Sequence, residues 1–432
     1  MTQSGERRKI LVIGGGGREH AIVWKLRQSP RLREVYCTPG NAGIARDAVV
    51  FPADFSNNFA RLIDRAKNLR IDYTIVGPEV PLADGIVDAF TAASLQIFGP
   101  CQAAARLESS KAFAKEVMIA AGIPTAQSET FEEVAPALEY ARSLGAPLVV
   151  KADGLAAGKG VVVAQTLAQA ETAIRQNLEH YQFGESSARV VIEEFLAGEE
   201  ASILAFTDGN VIVPMASAQD HKQLHDNDLG PNTGGMGAYS PAPIVTDDVM
   251  QEVRERVFLP LFEELQKRDI DYKGVIYAGL MLTTGGPKVL EFNCRFGDPE
   301  TQAILPRLEN DLVDIIEAVC EGTLHLHHLT WTPESSICVV MAAKGYPENP
   351  EKGAIIEGLE EVQANDRAVV FHSGTAEQGA NIVVSGGRVL GVTAIGKNLP
   401  RAMDTVYKEV AKIHFDGVHF RRDIGRKALG RL

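Results

Sequence analysis

Cysteine is scarce and unpatterned in this chain. Five residues (Cys37, Cys101, Cys294, Cys320 and Cys338) are scattered over 432, and none forms a C-x-x-C pair. That odd, dispersed set argues against a disulfide framework or a zinc site and fits a reducing compartment. Long apolar runs are missing as well. No stretch approaches the ~20 apolar residues of a membrane span, and the basic amino terminus MTQSGERRKI leads only into residues 10–13 before four glycines. A signal peptide needs a longer apolar region. Nor is there an excess of positive charge. The formal net charge of −13 disfavours a nucleic-acid binder, which needs basic surface to replace phosphate counterions. A few local Arg and Lys residues can still hold a small anion. Internal repeats and low-complexity tracts are absent too. The expectation is a cytoplasmic protein with neither membrane nor nucleic acid as partner.

What is present fits an enzyme. Hydrophobic residues at 45% and charged residues at 23% are ordinary for a globular chain, and the length implies two to four packed units. In the first hundred residues, apolar runs at 10–13, 35–37, 73–76 and 97–98 alternate with helical stretches at 59–69 and 84–93. That alternation predicts an α/β unit with a doubly wound parallel sheet, whose ligands bind at the carboxyl ends of the strands. A helix is expected over 110–121, then a small α+β lobe with strands at 148–151, 161–164 and 190–193. Hairpins are expected around Asp208-Gly209 and Gly285-Gly286. From about residue 330, short strands with glycine turns predict a β-rich domain closed by a helix near 402–414. The expected division is 1–106, 107–330 with a lid lobe at about 124–193, and 331–432.

Two glycine loops suggest phosphate binding. Gly14 to Gly17, then Arg18-Glu19-His20, follows the first strand and opens a helix, where backbone N–H groups can meet a phosphate. Glu19 stands where a dinucleotide fingerprint requires glycine or alanine, so a nicotinamide dehydrogenase is disfavoured. A glycine turn without ligand is the bland alternative, and Arg18 tips the balance toward phosphate. The segment from Lys151 to Gly160 fails the P-loop spacing and lies between two β runs. Two lysines on such a turn suit a lid over a triphosphate, with Lys151 on rigid strand and Lys159 on the mobile turn. A solvated hairpin is the competing reading.

Two further stretches carry the rest of the chemistry. The strand at 190–193 runs into Glu194, Phe195, Leu196, Glu199 and Glu200, offering an apolar sandwich and backbone groups for adenine and a carboxylate for ribose. Register decides whether Glu193 or Glu194 faces the nucleotide. In Glu291-Phe292-Asn293-Cys294-Arg295, alternation puts Glu291, Asn293 and Arg295 on one strand face. Carboxylate and amide oxygens are hard ligands suited to Mg²⁺, and Arg295 lies where phosphoryl-transfer charge collects. The glycine-dense segment from Gln219 to Ser240 reads as a loop contacting substrate. His325, His327 and His328 read as surface residues.

In order, GGGGREHA, PGNAG, TIVGPEVPL, SKAFAKE, KADGLAAGKGV, IEEFLAGEEAS, QDHKQLHDNDLGPNTGGMGAYSPAP and EFNCRFGDPETQ resemble the ATP-grasp superfamily. More closely, and over nearly the whole chain, they resemble its glycinamide ribonucleotide synthetase family. The resemblance implies ATP-grasp architecture and the ligation of glycine to 5-phosphoribosylamine through a glycyl phosphate, with ATP as co-substrate and Mg²⁺ or Mn²⁺ as cofactor. It implies ATP contacts by Lys111, Lys151, Lys159, Gly160, Glu193, Glu194, Phe195, Leu196 and Glu200, and metal binding by Glu291 and Asn293. Gly15, Gly16, Arg18, Asn41, Gly77, Pro78 and Glu79 would hold the ribose phosphate end, with Lys222, Gly234 and Gly235 on the substrates. Arg295 and Asp220 would be catalytic. Some superfamily members add an acidic metal ligand on the preceding strand, which residues 277–281 lack, so ion number stays open. The implied state is a monomer with transient contact to the amidotransferase that makes phosphoribosylamine. The alternatives are another ATP-grasp carboxylate–amine ligase, a carboxylase subunit, or a non-catalytic nucleotide sensor.

Overall fold

The computed structural model describes residues 6–55, 58–155, 160–182, 184–363 and 365–431. The chain opens with β1 (Arg8–Gly14), β2 (Leu32–Pro39), β3 (Val49–Val50), β4 (Tyr73–Val76) and β5 (Gln96–Phe98). They form a parallel sheet in the order β3-β2-β1-β4-β5. Ile10 to Ile13 are buried without exception, because helices cover both faces of the sheet. The expected runs were the centres of these strands.

The helix Lys111–Ala120 begins where Ser110 Oγ accepts the Phe113 N–H at 3.2 Å. Asp153 joins this cap by accepting the Ala112 N–H at 2.7 Å, which ties the helix to the glycine turn. The lobe that follows contains β6 (Ser128–Phe131), β7 (Leu148–Ala152), β8 (Val161–Ala164) and β9 (Val190–Glu194), all antiparallel, in the order β6-β9-β7-β8. β10 (Glu199–Thr207) and β11 (Ile212–Pro214) make the first expected hairpin.

Next come four short strands, β12 (Gln219–Asp220), β13 (Gln223–His225), β14 (Leu229–Asn232) and β15 (Gly237–Ser240). This segment was expected to be a loop. Instead β12 pairs with β15, and β15 pairs with β18 (Ser335–Ala342), far along the chain. The hairpin of β16 (Gly274–Thr283) and β17 (Gly286–Asn293) completes a sheet in the order β11-β10-β16-β17. β19 (Ala368–His372), β20 (Thr375–Gln378), β21 (Asn381–Val384) and β22 (Arg388–Gly396) follow. The last sheet is thus β12-β15-β18-β22-β19, with the helix Leu399–Val410 packed on β18 and β22.

The first and last domains meet along the helix Gly17–Leu26. Trp24 and His20 lie edge-on to Phe371 at 5.7 and 5.8 Å. His20 Nδ1 accepts the His372 backbone N–H at 2.8 Å, so His20 presents its other nitrogen to Asp47 at 3.3 Å. Burial, aided by His20 and Arg46, holds the His372 imidazole down at about 3. The folded state therefore keeps His372 neutral while the unfolded chain, with an ordinary imidazole near 6.5, takes up a proton. Stability from this group is whole above pH 6.5 and is lost as pH falls toward 3. Thermal midpoints between pH 7.5 and 4.5 should fall less steeply for His372→Asn than for the parent; equal slopes would refute this assignment. No helix among the described residues is long and apolar enough to cross a membrane.

Candidate active site

One cleft of about 370 Å³ gathers residues from all three parts of the chain. β17 supplies Glu291 and Asn293, with Arg295 just beyond. The helix Lys111–Ala120 supplies Lys111 and Lys115, β7 supplies Lys151, and β9 supplies Glu193. Arg18, Pro78 and Glu79 enter from the loops after β1 and β4. Asp220, Lys222 and Gly234 enter from the segment between β12 and β15, and Gly160 lies at the lid turn. Lys159 lies outside the described residues.

Strand alternation works as expected on β17. Phe292 packs into the core while Glu291 and Asn293 line the cleft. Burial alone would raise the Glu291 carboxyl, but Lys222, Lys151 and Lys111 outweigh it and bring it down to about 2. Lys222 Nζ stands 3.5 Å from Glu291 and 3.9 Å from Glu200. A stably ionised carboxylate beside an amide oxygen is a donor set that fits a hard divalent cation. Asn293 Oδ1 also accepts from Arg295 at 3.2 Å.

Arg295 is gripped from the far side. Its Nη2 lies 2.9 Å from Glu108 and its Nε 3.6 Å from Glu79. At that range Nε–H makes no hydrogen bond among the described residues. Glu108 also accepts the Cys294 N–H at 2.7 Å, so it fixes both the guanidinium and the strand end that carries it. Burial, then Glu79, raise the Glu108 carboxyl despite Arg295.

The end of the cleft beside the glycine turn is a buried chain of alternating charges. Glu193, 2% exposed, sits 2.9 Å from Lys151 and 3.2 Å from Lys115. Burial, only partly opposed by Glu193, brings Lys115 down to about 8. Lys111 donates to the Gly154 carbonyl at 3.0 Å, which ties it to the lid turn. Glu193 faces the cleft, whereas Glu194 turns to the Gln127 N–H and Lys288. Leu196 is buried and Phe195 is 40% exposed; neither lines the cleft. Glu200 lines a small adjoining cavity with Asp220 and Lys222. Burial, then Glu300, push the Asp220 carboxyl well above its ordinary range.

The amino-terminal loop differs from the sequence expectation. The Gly16 N–H reserved for a phosphate is donated to Glu19 at 2.6 Å, and Glu19 also holds Arg18 at 2.5 Å. A Cβ on Gly77 would lie 2.0 Å from Glu19 Oε1, so these glycines make room for a carboxylate belonging to the chain itself. Gly15, Gly16, Gly77 and Gly235 do not line the cleft. Nor does Asn41, whose amide donates to the Gly15 and His372 carbonyls and accepts the Gly43 and Ile44 N–H groups. Of that loop, Arg18 reaches the cleft.

Lys115, Glu108, Tyr277, Asp298, Glu300 and Arg388 line the cleft without having been anticipated. Lys115 was findable, being one helical turn beyond Lys111 on the same face. Arg388 carries no local signal, since it comes from the last sheet.

The comparisons agree with this geometry. Residues 8–108, 109–301 and 336–427 match the N, ATP-grasp (A) and C domains of phosphoribosylglycinamide synthetase. A phosphoribosylamine–glycine ligase of Vibrio cholerae is 50% identical over 425 residues, 98% of this chain and 99% of that one. One from Escherichia coli K12 is 51% identical over 428 residues, with the same coverage. The crystal structure of a phosphoribosylamine–glycine ligase from Thermotoga maritima superposes with a TM-score of 0.84 at 32% identity, covering 96% of this chain and all of the other. A biotin carboxylase domain from Hydrogenobacter thermophilus shares the fold, at 15% identity and a TM-score of 0.73, covering 96% of this chain and 91% of that one. With all three domain models matched in order and half-identical relatives spanning its length, the chain belongs to the phosphoribosylglycinamide synthetase family of ATP-grasp ligases.

Proposed function

We propose that this cleft phosphorylates glycine with ATP and passes the glycyl group to 5-phosphoribosylamine, giving glycinamide ribonucleotide, ADP and phosphate. Membership of the family makes the chain an ATP-dependent ligase of purine biosynthesis that works with a divalent metal. The observation that carries the residue-level reading is the convergence of Lys111, Lys151, Glu291, Asn293 and Arg295 on one cleft that also holds Arg18 and Glu79.

Lys111 and Lys151 offset charge on the nucleotide phosphates, Gly160 lies at the turn beside them, and Lys159 adds a further positive charge. Adenine packs at the exit of β9, read by the backbone of Phe195 and Leu196, while Glu200 takes the ribose hydroxyls. Glu193 holds Lys151 and Lys115 in place, and Glu194 stays at the rim. Glu291 and Asn293 would hold Mg²⁺ or Mn²⁺, which when bound supplies charge neutralisation at the terminal phosphates. The buried, unpartnered Nε–H of Arg295 is a donor for the glycine carboxylate or the acyl phosphate formed from it. Asp220 and Lys222 line the same cleft, with Lys222 beside Glu291. Arg18 and Glu79 hold the phosphoribosylamine phosphate and hydroxyls.

Phosphorylation turns a poor electrophile into one with a good leaving group, and a closed lid keeps water from it. The amine then forms the new N–C bond as phosphate departs with the C–O bonding pair and the amine loses a proton. No side-chain nucleophile is needed. We further propose a cytoplasmic monomer that takes phosphoribosylamine from the amidotransferase that makes it.

Omitting one substrate at a time from a coupled assay tests this reading. ADP release is expected to require glycine, and glycinamide ribonucleotide to require phosphoribosylamine as well. Bicarbonate-dependent turnover without glycine would favour a carboxylase instead.

A further inference from the structure

The segment carrying Asp220, Lys222 and Gly234 is held from outside by the last domain. Arg388, at the start of β22, donates to the Gly234 carbonyl at 2.5 Å and to the Asp298 carbonyl at 2.9 Å. Its Nη2 also lies 3.4 Å from the Asp298 carboxylate. The Gly234 N–H donates to the Tyr346 hydroxyl at 3.0 Å. Both polar groups of one residue are therefore gripped by one domain, Tyr346 on one side and Arg388 on the other. Tyr346 packs closely on the residue before Arg388: a Cβ on Gly387 would come within 2.4 Å of the Tyr346 ring.

The next residue passes this grip to the chemistry. Gly235 has φ +111°, and a Cβ there would lie 2.4 Å from Pro299 Cδ and 2.8 Å from Asp220 Oδ1. The loop thus rests directly on the Asp220 carboxylate, and Pro299 continues from the loop that follows β17. Thr233 braces the turn by accepting the Gly235 N–H at 3.0 Å. Asp298 joins Arg388 to the amino-terminal side, since it also accepts from Gln302 at 2.7 Å and is held ionised, against burial, by Arg388 and Arg18. Displacing the Gly234 peptide therefore removes the packing under the Asp220 carboxylate.

We propose that Arg388 and Tyr346 are positioning residues by which the carboxyl-terminal domain clamps the Gly234-Gly235 turn, so that the glycyl phosphate meets the amine and not water. This rests on the ligase reading above. In the coupled route the amine nitrogen bonds to the acyl carbon and phosphate leaves. In the uncoupled route water adds to the same carbon, releasing glycine and phosphate, and ATP is consumed without product.

The readout is glycinamide ribonucleotide formed per ADP released, in the full-length chain and in Arg388→Met, Arg388→Lys and Tyr346→Phe. The parent should give a ratio near one. Arg388→Met should lower the ratio at least about twofold through water attack and raise the KM for phosphoribosylamine by about tenfold through lost alignment. The KM for ATP should hold. Arg388→Lys should recover part of the ratio, and Tyr346→Phe should lower it less. A merely structural role would depress all rates together and leave the ratio at the parental value; that result overturns the proposal. If Arg388→Met does not fold, the ratio in Tyr346→Phe decides. A parent that shows no glycine-dependent ADP release would instead sink the ligase reading, so the two failures are distinguishable.

Discussion

Glu291→Gln is expected to lower glycinamide ribonucleotide synthesis by about 10³-fold or more, the scale on which charge stabilisation at a transferring phosphoryl operates. The substitution keeps shape and removes one negative charge. That charge is what three lysines and Arg295 are arranged around, and those cations keep the carboxyl ionised. Asn293→Ala should act in the same direction by removing the amide oxygen two residues on. The fold should survive both, because among the described residues the Glu291 carboxylate has a single ion-pair partner, at 3.5 Å, and its side chain is about a third exposed. Circular dichroism and thermal unfolding check the fold, and the substrate-omission assay checks turnover. Near-parental synthesis in either variant would sink the metal assignment. A non-catalytic sensor would show no turnover in parent or variant.

Arg295→Met should have the largest effect on stability, about 3–5 kcal/mol, because it takes the ion-pair partner from the Glu108 carboxylate, whose side chain is only 8% exposed. It should also cost about 10²–10³-fold in turnover through the lost donor at the acyl phosphate. The two effects can be separated. Glu108→Gln keeps an oxygen for the Cys294 N–H, so the double variant Arg295→Met with Glu108→Gln should regain much of the stability. Turnover should stay low. If activity returned with stability, Arg295 would be a strut and not a participant.

Much of the fold was legible because local pattern and final environment agree. Residues 10–13 are apolar throughout and 73–76 are so but for Thr74, as befits strands covered on both faces, and glycine ends each one. The metal face of β17 was legible for a related reason: alternation depends only on the strand's period of two. Where a residue's partner lies far away in sequence, the signal vanished. Gly237 to Ser240 looked like loop because glycine and serine carry little strand preference, yet β18, about a hundred residues on, makes them a strand. Glu19 was read as a departure from a fingerprint, which was sound, but its capture of the Gly16 N–H required the folded turn. Arg388 and Tyr346 were invisible for the same reason. Lys115 is legible by contrast, since helical spacing from Lys111 places it on the same face.

The strand exchange between the middle of the chain and its last sheet bears on how the gene can be divided. β12 and β15 are encoded long before β18, yet they form one edge of its sheet. A break in the coding sequence near codon 331 would leave one fragment with two orphan strands and the other with an open sheet edge, a template for promiscuous pairing. Such halves could regain function only by complementing each other strand to strand, which makes this junction a seam for a split reporter and a poor border for an exchangeable module.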